Sequence, residues 1–333
     1  MPAELDRTFT TAPMMDWSDR HCRLFWRQLT KHAVLYTEMV TTGAIIHGAG
    51  GPERFLSYND EEHPLALQLG GSKPDELAQC SKIAQKFGYD EVNLNVGCPS
   101  DRVQNNMIGA CLMAHPDLVA NCIKSMQDAC DIPVTVKHRI GIDDQDSYQE
   151  LVHFVGTIAD TGCKTFIVHA RKAILQGLSP KENREIPPLK YEVVAQLKKD
   201  FPSLEILLNG GLQSHEQCEE ALNYCDGVML GREAYHNPSI LLDVDRRYYD
   251  HANPITTNKK DAIRALYPYI ESTLSEGGKL AFISRHLLGL FNGLPGSRQF
   301  RRHLSEQAFK NEAGIDTLEQ ALAFIPDDVC TVS

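Results

Sequence analysis

No apolar run in this chain approaches the roughly 20 residues that a bilayer span requires. The start, MPAELDRTFT, carries charges early and has no apolar h-region, so no secretory signal is visible. The ten cysteines fall at irregular intervals and none forms a C-x-x-C pair. That argues against a zinc ribbon, another metal framework or a disulfide scaffold, and fits reduced thiols in a cytoplasmic protein. No G-x-G-x-x-G follows any candidate strand, and His47-Gly-Ala-Gly-Gly-Pro52 has the wrong spacing. Internal repeats and low-complexity tracts are also missing. Positive charge is in short supply overall: the formal net charge is −11, which as an average argues against a nucleic-acid partner.

What is present is ordinary globular usage, 42% hydrophobic and 23% charged residues in a chain of 333. Short β-branched runs alternate with amphipathic segments of helical length almost to residue 240. The candidate strands are Thr8–Pro13, Ala33–Met39, Leu65–Gly70, Glu91–Gly97, Val134–Ile140, Thr165–Ala170, Glu205–Gly210 and Gly227–Gly231. Helical candidates between them include Asp19–Thr30, Pro74–Phe87, Pro116–Ala129, Ser147–Thr161, Tyr191–Lys199 and Ser214–Tyr224. Ser72-Lys-Pro74 and Ser214 with Gln217 read as helix starts. Eight strands alternating with helices predict an α/β fold, a (β/α)8 TIM barrel, with a doubly wound sheet as the alternative.

After Asn253-Pro254 the pattern becomes helical only, with segments near Lys259–Ser275, Lys279–Phe291, Arg298–Asn311 and Thr317–Phe324. The expected organisation is a catalytic barrel over 1–245, a linker over 246–257 and a small C-terminal all-helical domain over 258–333. That last segment holds nine Lys/Arg and nine Asp/Glu, so the barrel carries the whole acidic excess. Residues 277–305 contain no acid, yet include Lys279, Arg285, Arg298, Arg301 and Arg302. Such a window is either a chance gap on a solvated face or a phosphate-binding surface. Arg298, Arg301 and Arg302 share one helical face at spacings of three and four, which favours the second.

Barrel enzymes place their chemistry at the carboxyl ends of the strands. Here those ends carry Pro13-Met14-Met15, Glu38, Gln68, Asn95 with Cys98, Lys137 with Arg139, His169 with Arg171, Asn209-Gly210-Gly211 and Gly231-Arg232. A purely structural barrel needs none of these. The glycines after the last two strands suit a phosphate site built from backbone N–H groups, with Arg232 adding charge, although ordinary turn chemistry also uses glycine. Lys137 interrupts an otherwise apolar strand and is costly there unless paired or used. It could form a Schiff base or stabilise an anion on a cofactor ring. Gln68 offers a donor and an acceptor to the edge of a heterocycle. Asn93 and Asn95 alternate with apolar residues, so both point to one side of their strand. His169 is either a ligand-binding residue or a hydrogen-bonded core histidine. Cys122, Cys163 and Cys225 read as small buried hydrophobes.

The motifs APMMDWSDRHCR, LQLGG, LNVGCPSDRVQ, VKHRIGID, NGGL and GVMLGREAYHNP carry a resemblance that covers nearly the whole chain. They resemble those of the tRNA-dihydrouridine synthases. The segment HARKAILQGLSPKENREIPPL, residues 169–189, resembles the A subtype in particular. The resemblance implies a barrel holding tightly bound FMN, NADPH as reductant, and reduction of uridine in folded tRNA at D-loop positions 20 and 20a. It implies that Pro13, Met14 and Met15 contact the flavin ring by backbone, that Gln68 bonds its pyrimidine edge, and that Lys137 sits near its N1–C2 side. His169 would lie near the cofactor, while Asn209, Gly210, Gly211, Gly231 and Arg232 would hold its phosphate. Cys98 matches the family's proton donor and Asn95 a residue near the target base. Lys181, Arg184, Arg298 and Arg301 match tRNA-contacting positions.

In that chemistry NADPH reduces FMN and leaves, a hydride reaches C6 of uracil, and C5 takes a proton from the opposite face. A thiol with an ordinary pKa of about 8.5 is mostly protonated at neutral pH, so Cys98 suits the acid role. On this reading SDRVQNNMIGA is a substrate-facing loop and Cys98 sits on a mobile, unburied segment. Two other functions fit parts of the pattern. An FMN barrel reducing a free pyrimidine or small enone would not need the basic module. A lyase or aldolase with Lys137 as its Schiff-base amine would not need Cys98. No obligate protein partner and no membrane association are evident.

Overall fold

The alternating apolar runs form eight strands in the computed structural model, which describes residues 5–100, 107–250, 255–256 and 258–331. They are β1 (Phe9–Thr11), β2 (Leu35–Thr41), β3 (Leu65–Gly70), β4 (Glu91–Val96), β5 (Val134–Arg139), β6 (Thr165–His169), β7 (Glu205–Asn209) and β8 (Gly227–Leu230). Every neighbouring pair is parallel, in the order β1-β8-β7-β6-β5-β4-β3-β2. A parallel bridge between Thr10 and Val34 joins the two ends of that order and closes the barrel. The TIM barrel expected from the sequence is therefore present.

Closure sends one parity of each strand inward and the other toward the surrounding helices. Ala12, Val34, Tyr36, Ala66, Ile167, Leu207 and Met229 form the apolar interior. The opposite parity, such as Leu65, Leu67, Leu69, Val92, Leu94 and Val96, is fully buried as well. Burial on both faces is why these strands read as nearly continuous apolar runs. β2 begins and ends two residues later than its pattern suggested, and a register shift between Tyr36 and Met39 places Glu38 within the strand.

Local signals set most helix starts. Asp19 accepts from the Cys22 N–H ahead of Arg20–Arg27, Ser147 from Glu150 ahead of Tyr148–Ala159, and Ser214 from Gln217 ahead of His215–Leu222. The helix Pro74–Phe87 differs from expectation. Lys73, not Ser72, precedes it, without a side-chain cap, and Pro74, which has no N–H, removes one of the donors that a helix start leaves without a partner.

By compactness the chain divides into two units. One comprises residues 1–14, 34–58 and 64–230, and contains all eight strands. The other comprises 15–33, 59–63 and 231–333. Within the second, Asp245 accepts hydrogen bonds from the Thr30 hydroxyl and the backbone N–H groups of Lys31 and His32. Arg23 pairs with buried Glu62 at 2.6 Å, and Trp17 stacks on Tyr235 with ring centroids 4.5 Å apart. The segment after β1 is thus tied to residues far along the chain, which no local pattern announces. Of the expected linker, 246–248 complete the helix Val244–Tyr248, while 251–254 and 257 lie outside the described residues.

The C-terminal helices are shorter than their patterns. The expected Lys259–Ser275 is two helices, Lys259–Arg264 and Tyr267–Ser275, because Pro268 fits only a first turn. Helix Leu280–Ser284 stops early, while Ser297–Gln307 and Ile315–Leu322 lie close to their expected places.

Candidate active site at the carboxyl end of the strands

Parallel register sets Gln68 opposite Asn93 and Asn95 opposite Lys137. Gln68, in β3, is 1% exposed and its amide is bonded on both sides. Its Nε2 donates to Asn93 Oδ1 at 2.8 Å, and its Oε1 accepts from Asn95 Nδ2 at 2.7 Å. The shared facing of Asn93 and Asn95 is therefore as the alternation predicts.

Cys98 follows β4 directly, and its backbone is pinned from both directions. The N–H groups of Gly97 and Cys98 donate to Asn95 Oδ1 at 3.1 and 3.0 Å. The Cys98 carbonyl accepts from Ala110 N–H at 2.8 Å, and Arg139 Nε donates to the Gly97 carbonyl at 2.9 Å. Gly109 has φ +85°, and a Cβ there would lie 2.4 Å from the Cys98 carbonyl oxygen, so a glycine is required. The thiol is half-buried rather than exposed, on a turn held by four hydrogen bonds. The stretch expected to face substrate falls mostly at 101–106, outside the described residues. Cys122, Cys163 and Cys225 are buried, and burial pushes their thiols up to about 12, as suits inert core residues.

Lys137 Nζ donates to Asn209 Oδ1 at 2.9 Å. Loss of hydration, then the neighbouring Arg139 charge, push its amine down to about 7, with Cys98 acting in the opposite sense. Asn209 is held at both ends of its amide, since its Nδ2 also donates to the Met229 carbonyl at 2.8 Å. Arg139 is buried and donates to the Lys172 and Asn183 carbonyls at 3.1 and 3.0 Å. Burial brings its guanidinium down to about 10, with Arg184 and Arg171 adding to the effect and Cys98 opposing it. Cys98, Lys137, Arg139, Arg171 and Arg184 thus share one electrostatic neighbourhood.

The turn after β7 has φ +117° at Gly210 and +73° at Gly211. A Cβ on Gly210 would lie 2.7 Å from the His169 ring, and one on Gly211 would lie 2.5 Å from Leu189. Tyr191 Oη donates to the Gly210 carbonyl at 2.6 Å, which turns that peptide so its oxygen faces the tyrosine. Neither glycine N–H donates to a backbone carbonyl among the described residues. The loop carrying Lys181 and Arg184 is held by buried Asn183, which accepts from Ile174 N–H at 2.7 Å and donates to the Ile174 carbonyl at 2.8 Å. Lys181 is exposed and Arg184 half-buried.

Pro13 and Met14 belong to the barrel unit, where Met14 packs on the apolar interior. Met15, Gly231, Arg232, Arg298 and Arg301 belong to the other unit. Met15 is 58% exposed. Arg232 opens a one-turn helix, Arg232–His236. The acid-free window is less free than its composition suggests. Arg285 and His286 both bond Asp19, at 2.6 and 3.1 Å, and Arg302 pairs with Glu306 at 2.7 Å. Arg298 and Arg301 are exposed on the helix Ser297–Gln307, and no carboxylate pairs with either among the described residues. Sequence reasoning missed Glu91, Thr135, Tyr36 and Arg7, which lie buried below the site. The signal was available for Glu91, which shares the alternation of Asn93 and Asn95.

Comparison with known proteins places this geometry in context. The profile of the family described as "Dihydrouridine synthase (Dus)" matches residues 10–325. The chain is 60% identical over 324 residues to the tRNA-dihydrouridine(20/20a) synthase of Pseudomonas aeruginosa, covering 97% of each chain. It is 60% identical to the Yersinia pestis protein of the same name, covering 95% of this chain and 91% of that one. For the Escherichia coli protein of that name the identity is 58%, covering 98% and 99%. The fold also resembles a solved old yellow enzyme homologue from Zymomonas mobilis, with TM-score 0.52 and 13% identity, covering 74% of this chain and 89% of that one.

Proposed function

The chain belongs to the dihydrouridine synthase family, and on that premise we propose that it reduces the C5–C6 bond of uridine to 5,6-dihydrouridine in the D-loop of tRNA, at positions 20 and 20a. The observation that carries the reading is identity of 60% across 97% of both chains with a relative of that name. It favours this function over a free-pyrimidine reductase and over a Lys137 Schiff-base lyase. The proposed cofactor is FMN, with NADPH as its reductant, and the proposed location is the cytoplasm. Among the described residues no helix is long and apolar enough to cross a membrane.

The barrel residues suit a flavin. Lys137, held at about 7, would be drawn toward its charged form by an anionic group in contact with it. Gln68 has one N–H beyond its bonds to Asn93 and Asn95 for the pyrimidine edge of a ring. Gly210 and Gly211 offer backbone N–H groups where any side chain would strike His169 or Leu189. FMN bound there would supply the hydride for C6. Pro13, Met14 and Met15 would line its ring, with His169 beside it. Gly210, Gly211, Gly231 and Arg232 would hold its phosphate. Asn209 would join them through its second Nδ2–H, and through Oδ1 it would hold Lys137 in place.

Cys98 would hold on Sγ the proton that C5 takes, and Asn95 would fix the height of that sulfur by gripping two successive backbone N–H groups. The target uridine must leave its stack to reach them. Lys181, Arg184, Arg298 and Arg301 would bind phosphates while it does so. In this division of labour residues 1–245 bind the cofactor, 246–257 link, and 258–333 serve tRNA binding. The test is the dihydrouridine content of tRNA from cells with and without the protein. Loss at positions 20 and 20a is expected, and unchanged content at every D-loop position would refute the function. Purified protein should also be yellow.

A further inference from the structure

Inside the barrel, hydrogen bonds join the candidate site to a buried ion pair near the opposite ends of the strands. Glu91 is fully buried and its carboxylate can only accept. Its Oε2 takes Arg7 Nε–H at 2.6 Å, and its Oε1 takes the hydroxyls of Tyr36 at 2.5 Å and Thr135 at 2.6 Å. Burial, reinforced by Glu91, holds the Tyr36 phenol well above its usual range, so it remains a donor. Having given its one proton to Glu91, Thr135 Oγ1 has only lone pairs left. Its 2.9 Å contact with Asn93 must therefore be an Asn93 Nδ2–H donating.

That requirement propagates. With Nδ2 on Thr135, Asn93 turns Oδ1 to Gln68 and accepts from Nε2 at 2.8 Å. With Nε2 so used, Gln68 turns Oε1 to Asn95 and accepts from Nδ2 at 2.7 Å. Asn95 is left with Oδ1 toward Gly97 and Cys98, whose N–H groups it accepts. An isolated amide is nearly indifferent to being turned end for end. Here each reversal sets like groups against each other at two or more buried contacts. The chain of donors runs one way, from the Cys98 backbone to Glu91.

We propose that Glu91, acting through Thr135, is a remote positioning element. It sets the amide orientation of Asn93, Gln68 and Asn95, and so decides both the polarity of the edge that Gln68 offers a ligand and the seat of the Cys98 turn. This deepens the functional reading above, on which it rests for the identity of the ligand at Gln68. It assigns the buried cluster of Arg7, Tyr36 and Glu91 a role in the chemistry beyond stability.

Thr135→Val keeps the side-chain shape and leaves Glu91 bonded to Arg7 and Tyr36, but removes the link. Thr135→Ser retains it. Two quantities are measured on purified protein: the FMN dissociation constant, and the rate at which iodoacetamide labels the Cys98 peptide. Thr135→Val should weaken FMN binding by about tenfold and change Cys98 labelling by about threefold or more, while Thr135→Ser stays within about twofold of wild type on both. Should Thr135→Val fail to fold, Thr135→Ala removes the same hydroxyl and should show the same pair of effects. Wild-type values in a folded variant lacking the hydroxyl would overturn the proposal, as would equal impairment in Thr135→Ser. Wild-type protein that binds no FMN would overturn the functional reading and this proposal together. An unaffected Thr135→Val in an FMN-binding enzyme overturns the proposal alone.

Discussion

Replacing Lys137 by methionine should stabilise the flavin-free protein in acid and lose that advantage in alkali. The amine falls from an ordinary 10.5 to about 7 in the folded barrel, chiefly through lost hydration. Between those values the unfolded chain holds a proton that the folded chain does not. Wild-type stability therefore rises with pH across that window, and the cost of the lysine is greatest below it. At roughly 1.4 kcal/mol for each tenfold loss of proton affinity, the cost is about 4–5 kcal/mol at pH 6, about 3 at pH 8 and about 1 at pH 9.5. Methionine removes this cost and adds a pH-independent one, because Asn209 Oδ1 loses its donor, worth about 1–3 kcal/mol. The stability difference between variant and wild type should thus fall by about 3 kcal/mol from pH 6 to pH 9.5, whatever its absolute value. Urea unfolding of flavin-free protein, followed by far-ultraviolet circular dichroism, measures it. Tryptophan fluorescence would miss the barrel, since Trp17 and Trp26 both lie in the other unit. A difference constant to within about 0.5 kcal/mol over that range would show that the amine is not depressed and that the reasoning about its hydration is wrong.

Other consequences follow from the same geometry. Cys98→Ala should retain bound FMN while oxidation of the reduced enzyme by tRNA slows by orders of magnitude in stopped-flow absorbance; normal turnover would exclude the proton-donor role. Gly210→Ala forces a Cβ to 2.7 Å from the His169 ring at φ +117°, so FMN affinity measured by fluorescence titration should drop by about tenfold or more. Arg298→Ala with Arg301→Ala should weaken tRNA binding and reduce the slope of log K against log salt by about 1.5, and an unchanged slope would remove both from the interface. Asp19→Asn should destabilise the second unit at neutral pH. Burial works against the Asp19 charge, but His286 and Arg285 outweigh it and hold the carboxyl below its ordinary 3.8. The difference from wild type should therefore be complete above that value and begin to shrink below it, where the unfolded wild-type chain takes up a proton that folded Asp19 does not, as thermal unfolding at pH 7 and pH 3 would reveal.

Most of the candidate site was legible because a barrel strand converts spacing into direction. Gln68, Asn95, Lys137, His169 and Asn209 stood out as polar residues in apolar runs, and register brings Asn95 beside Lys137 and His169 beside Asn209. Glu91 was passed over because it begins its strand, where a carboxylate looks solvated. Only the approach of Arg7 and Tyr36, 84 and 55 residues away, makes it a buried acceptor. The acid-free window misled in part for the same reason. Asp19, far upstream, takes up Arg285 and His286, and Glu306 takes up Arg302, so that Arg298 and Arg301 keep no carboxylate partner among the described residues.

By itself the sequence determined the eight alternations, the capping residues of several helices and the identity of the groups at the strand ends. These depend on neighbours a few residues apart, whose steric and hydrogen-bonding preferences act locally. Tertiary structure decided which polar groups meet: that Asn209 serves Lys137, that the segment after β1 joins the C-terminal helices, and that a single carboxylate orders three amides beneath Cys98. Those pairings span tens to hundreds of residues. They exist only once barrel closure has excluded water and left each buried donor with one acceptor to find.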